Sequence, residues 1–160
     1  MAQRFEFKLF ADYFQFYLQD ERASGDLSER WTQEAVDRLL ATAPGTIGVG
    51  TVRNMGVPVV VEIAENPPDD EIMAWDQVNE CSIDTPSGRL VVAGCTDYFP
   101  DAARIELPAG TYRARIYYGN LTSLRGDGME GRDHYRLTLW QAPDEPFKVL
   151  KQRAKPDISH

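Results

Sequence analysis

Asp133-His134-Tyr135-Arg136-Leu137-Thr138-Leu139 alternates polar and apolar side chains without a break. A period of two puts Tyr135, Leu137 and Leu139 on one face of an extended chain, and His134 and Arg136 on the solvent side. Such a strand must bury its apolar face against another layer. The same pattern opens the sequence, with Phe5, Phe7 and Leu9 on one face and Glu6 and Lys8 on the other. Phe14, Phe16 and Leu18 restart it in a new phase, as a bulge at Asp12-Tyr13 would require.

Working outward, residues 47–53 and 57–63 read as strands joined by a hairpin turn at Asn54-Met55-Gly56. The β-branched run Val59-Val60-Val61 suits a strand buried on both faces. Residues 75–84 and 89–95 read as a second hairpin around Thr85-Pro86-Ser87-Gly88. Further strands are predicted at 103–107, 111–118, 133–141 and 147–150, and the glycine-rich 119–132 as a loop. One helix is predicted over 33–42. Thr32 would be its N-cap, Trp31 and Val36 a hydrophobic staple, and Pro44-Gly45 its stop. Its apolar stripe of Ala35, Val36, Leu39, Leu40 and Ala43 would bury Leu39 and Leu40 against the sheet. Eight or nine strands with one early helix predict an antiparallel β-sandwich with a single flanking α-helix. At 160 residues, 1–150 are expected to form one domain and 151–160 a frayed tail.

Charge is distributed unevenly. The chain has 25 acidic and 17 basic residues, a net of −8. Glu62, Glu65, Asp69, Asp70, Glu71, Asp76, Glu80 and Asp84 fall within residues 54–88, where no Lys or Arg occurs. Elsewhere the two signs balance at 17 each. Such a field repels nucleic acid and anionic membrane and attracts a basic protein surface or a cation. Glu65, Asp69, Asp70, Glu71, Asp76 and Glu80 are therefore the candidate partner-binding residues. Alternation places Asp76 and Glu80 on one side of their strand, and Pro67-Pro68 stiffens the neighbouring loop. No window of 18 apolar residues is present, so no transmembrane helix is predicted. Neither a signal peptide nor a disulfide framework is readable, and a reducing, bacterial-type cytoplasm is expected.

Catalytic chemistry finds little material. His134 is one of two histidines, and a lone exposed imidazole is more often inert than catalytic. Asp127, Glu130 and Asp133 lie three apart in a glycine-rich loop that suits Ca²⁺ in composition but not in EF-hand spacing. A solvated loop is the preferred reading, and no metal or cofactor is expected. Register counting in the second hairpin sets Cys81 and Cys95 out of line, so they are expected to be buried, unreactive thiols. The alternative is a ligand-binding module for a carbohydrate or a Ca²⁺-dependent ligand, with a concave aromatic patch on which Trp75, Tyr98 or Tyr118 is exposed. Asp97-Tyr98-Phe99-Pro100-Asp101 is the best candidate for an exposed aromatic-acidic loop.

Several segments, in order, resemble the competence protein J family, inhibitors of a bacterial DNA-entry nuclease. They are Phe14-Gln15-Phe16-Tyr17-Leu18-Gln19-Asp20, Trp31-Thr32-Gln33-Glu34-Ala35-Val36, Gly45-Thr46-Ile47, Arg53-Asn54, and Ile105-Glu106-Leu107-Pro108-Ala109-Gly110-Thr111-Tyr112. The 119–132 loop and the C-terminus are longer here. The resemblance implies a non-enzymatic cytoplasmic protein that binds another protein, a nuclease. The charge pattern adds a mechanism, an acidic surface blocking a basic cleft.

Overall fold

The alternating stretch at 133–139 forms an interior strand of a six-stranded sheet. The structure is a computed structural model that describes residues 3–23, 26–53, 55–69, 72–94, 96–122 and 132–153. Among these, the elements are β1 (Gln3–Phe10), β2 (Gln15–Asp20), α1 (Gln33–Arg38), β3 (Leu40–Ala43), β4 (Thr46–Gly50) and β5 (Gly56–Ile63). They continue as β6 (Gln77–Thr85), β7 (Arg89–Gly94), β8 (Ala103–Glu106), β9 (Gly110–Gly119), β10 (His134–Gln141) and β11 (Lys148–Lys151). The first sheet has the order β1-β5-β10-β9-β6-β11, the second β3-β4-β2-β7-β8. The predicted β-sandwich with one flanking helix is the observed fold. All the strand pairs are antiparallel except β5 with β10, which is parallel.

One core joins the sheets. Val57, Val59, Val61, Tyr135, Leu137 and Leu139 from the first meet Phe16, Leu18, Ile47, Val49, Leu90 and Val92 from the second. Tyr135, Leu137 and Leu139 are buried, as their spacing requires. Phe5 and Phe7 are half-buried and Leu9 is buried. A second, smaller cluster of Leu27, Ala35 and Ala41, covered by Trp31, attaches α1 to the outer face of β3. A Cβ at Gly48 would lie 2.6 Å from Leu27 Cδ1 and 3.0 Å from Trp31 Cζ2, so a larger residue there would displace these side chains.

Four expectations are corrected. The helix stops at Arg38, with Leu39 at φ 62° as its left-handed cap. The expected last turn is instead β3, because Leu40 through Ala43 pair with Val49 through Thr46 of β4. A helix this short has little stability of its own, so a sheet partner outcompetes it. Thr32 Oγ1 does accept from Ala35 N at 3.2 Å, and Leu39 and Leu40 are buried, but Val36 is exposed. Both hairpins are also corrected. β4 and β5 belong to different sheets, as do β6 and β7, so neither pair is a hairpin and each connection crosses between sheets. The cysteine register derived from the second hairpin falls with it. The expected bulge at Asp12-Tyr13 is a 3-10 turn, Asp12–Phe14, that carries the chain from one sheet to the other. A turn residue specifies a reversal of direction, but does not choose the strand to pair with.

Candidate functional site

The acidic segment divides into carboxylates held within the fold and carboxylates exposed at its surface. Glu80, from the middle of β6, is a nearly buried member of the first kind. It lies opposite Arg115 on β9, and its carboxylate takes Arg113 Nε at 3.0 Å and Arg115 Nη2 at 3.0 Å. Arg113 is itself buried and also donates to Ser82 Oγ, Glu145 O and Pro146 O. A buried charge must be paired and hydrogen-bonded, and here one carboxylate serves two guanidiniums. Glu62 of β5 is similarly taken by Arg136 at 3.0 Å and Arg4 at 3.4 Å. Asp76 precedes β6, and its Oδ2 accepts from Leu121 N at 2.8 Å. Glu80 is thus withdrawn from solvent, while Asp76 is half-buried.

Glu65 and Asp69 are exposed, and Asp84 is exposed at the far end of β6. Asp70 and Glu71 lie outside the described residues. Asp69 follows Pro68, whose carbonyl accepts from Arg115 Nη1 at 3.2 Å. Arg115 thus connects the Glu80 ion pair to the acidic loop, a link that no local sequence signal reveals. Alternating Arg113 and Arg115 opposite Glu80 becomes readable only once the β6–β9 register is known.

The other candidates resolve individually. His134 does not project freely into solvent. Its ring lies over Gly119 and against Trp75, with centroids 5.1 Å apart, because residues 72–76 cover the outer face of the sheet there. Asp133 is fully buried, with Oδ1 2.8 Å from Arg53 Nε and Oδ2 accepting from Tyr135 Oη at 2.7 Å. Its carboxylate faces inward, away from any solvated calcium site, while Asp127 and Glu130 lie outside the described residues. Burial, more than the adjoining Asp133, raises the Tyr135 phenol well above its ordinary range. Cys81 is a buried free thiol pushed up to about 12 by desolvation, and Cys95 lies outside the described residues. Among the described residues, no group of three or more His, Cys, Asp or Glu is placed to hold a metal ion. No described helix is long and apolar enough to cross a membrane.

The aromatic residues do not form the expected concave patch. Tyr118 is fully buried, and its hydroxyl donates to Leu39 O at 2.5 Å. Trp75 packs between Tyr117 and His134. Tyr98 alone of the three is strongly exposed, at 70%. It precedes a 3-10 turn, Phe99–Asp101, braced by Arg104 Nη1, which donates to Phe99 O and Ala102 O. The aromatic-acidic loop anticipated at 97–101 is therefore present as a braced surface feature.

No protein-family model matches this chain, and no curated protein matches it by sequence. Two solved structures do match. ComJ of Bacillus subtilis, an inhibitor of the DNA degrading activity of NucA, superposes with a TM-score of 0.65 at 14% identity. The match covers 88% of this chain and 96% of that one. The product of crocagin biosynthetic gene J superposes with a TM-score of 0.61 at 22% identity, covering 88% and 97% of the two chains. The chain has a ComJ-like fold, and at these identities the likeness establishes the fold alone.

Proposed function

We propose that this protein is a non-enzymatic inhibitor that binds a nuclease and presents the carboxylates around Glu65 and Asp69 to a basic cleft. The carrying observation is the two-sheet fold shared with an inhibitor of DNA degradation across 88% of the chain. A nuclease cleft is basic because it holds phosphates, and exposed carboxylates offer it the same charge. Glu65 and Asp69 are exposed, and the sequence continues them with Asp70 and Glu71. Asp76 and Glu80 have lesser roles in this reading, because their carboxylates are already engaged by Leu121 and the two arginines. Pro67-Pro68 and the Arg115 contact at Pro68 hold the acidic loop, which limits the freedom lost on binding. The partner is a basic protein. Nucleic acid and anionic membrane are disfavoured by the net charge of −8, and a bacterial cytoplasm suits the free Cys81 thiol.

The test is binding to, and inhibition of, a NucA-type nuclease, measured across a series of salt concentrations. Reversing Asp69, Asp70 and Glu71 to lysine should slow association about tenfold and flatten its salt dependence, with the fold unchanged. An unchanged salt slope rejects the acidic surface. Failure of the unmodified protein to bind or inhibit the nuclease rejects the inhibitor reading itself.

A further inference from the structure

Tyr13 and Phe14 are consecutive, bulky and non-glycine, and both have φ 59°. The left-handed region costs an ordinary residue roughly 1–2 kcal/mol, and such outliers concentrate where the chain meets a ligand. Both side chains are exposed, at 70% and 51%. They form one wall of a groove of about 520 Å³, closed by Trp31, Val36, Leu39 and Val52. The Trp31 indole N–H already donates to Gln15 Oε1 at 3.0 Å, so its ring leaves an apolar surface.

Among the described residues, Arg153 is the one charged residue lining this groove. Its backbone N–H donates to Gln77 Oε1 at 2.8 Å, which fixes its position. Arg38, at the end of α1, lies 4.3 Å over the Phe147 ring, and its Nε is buried with no hydrogen-bond partner among the described residues. Arg53, Arg113, Arg115 and Arg136 each face a carboxylate within 3.0 Å. Among the described residues neither Arg38 nor Arg153 does. In a chain of net charge −8, the charge that lines this groove among the described residues is the positive one of Arg153.

We infer that the groove docks a segment of a partner protein in which a large apolar side chain adjoins carboxylates. The side chain fills the space between Phe14, Trp31 and Val36, and the carboxylates meet Arg153. This surface is separate from Glu65. β5 begins beside the Ala11 turn and ends before Glu65, about 25 Å along an eight-residue strand. The inference does not rest on the proposed inhibitory role, and it calls for a partner segment of the opposite charge.

The experiment titrates the isotope-labelled full chain with two blocked peptides, acetyl-Gly-Asp-Phe-Asp-Gly-amide and its counterpart with lysine in place of aspartate. Amide signals of Phe14, Val36 and Thr51 should shift saturably with the acidic peptide, at least about fivefold more tightly than with the basic one. Arg153→Gln should abolish the preference and Arg153→Glu reverse it, with the rest of the spectrum unchanged. Equal response to both peptides, or shifts clustered away from the groove, overturns the proposal. Binding that appears only after residues 154–160 are removed assigns the groove to the chain's own end. Self-association that depends on Arg153 assigns it to a second copy. Either result also overturns it.

Discussion

Thr85 Oγ1 donates to Asp20 Oδ1 at 2.6 Å, and this contact joins the two sheets at the end of β6. The same carboxylate takes Ser87 Oγ at 2.6 Å and the backbone N–H groups of Ser87 and Arg22. Asp20 therefore organises the crossover from β6 to β7, where the sequence suggested a hairpin. Burial alone would raise its carboxyl. The hydrogen bonds from Ser87, Thr85 and the two backbone groups outweigh it and hold the carboxyl below the usual carboxylate range.

Because the folded pKa is depressed, this carboxylate stabilises the protein above its unfolded pKa, near 3.9, and the contribution is lost as pH falls through the folded pKa. Asp20→Asn should cost about 1–3 kcal/mol at neutral pH. Urea denaturation across pH should show the variant approaching the unmodified protein in stability below about pH 4. A constant difference across that range would contradict the assignment.

Glu80→Gln should destabilise by about 3–5 kcal/mol, because Arg113 would keep a buried charge without its counterion. Asp69→Gln, on an exposed loop, should change stability by no more than about 0.5 kcal/mol. Thermal or chemical melts of the two variants separate the acids that hold the fold from those available to a partner. Equal effects would mean that the division drawn between them is wrong.

Phe14→Gly should leave stability unchanged or raise it by up to about 1 kcal/mol. Relief of the left-handed backbone offsets the loss of a half-exposed ring and the greater freedom of the unfolded chain. A loss above about 2 kcal/mol in denaturant melts would show that the ring packs as core.

Cys81 should resist thiol reagents in the folded protein at mildly alkaline pH and react at once in denaturant. Its thiol is fully buried and raised to about 12. A Cys95→Ser background isolates the signal. Rapid labelling of native Cys81 would require a local opening of β6.

Period-two alternation determined which segments are strands and which faces are apolar, because that rule depends only on neighbours in the chain. Tyr135, Leu137 and Leu139 were legible as core for this reason, as were Phe5, Phe7 and Leu9. The cap at Thr32 was legible because a side-chain oxygen three residues from an N–H is a local fact. Strand partners were not legible. Every strand offers the same backbone donors and acceptors, and the choice between a hairpin and a crossover depends on which arrangement buries both apolar faces. That is why the turns at 54–56 and 85–88 pointed to the wrong neighbours, and why Leu40–Ala43 became a strand against β4. Charge divides in the same way. Composition located the acidic segment, but only the β6–β9 register brought Arg113 and Arg115 onto Glu80, while Glu65 and Asp69 stay exposed. The groove at Tyr13 and Phe14 is furthest from the sequence, since its walls come from segments more than a hundred residues apart and its left-handed backbone carries no glycine to announce it.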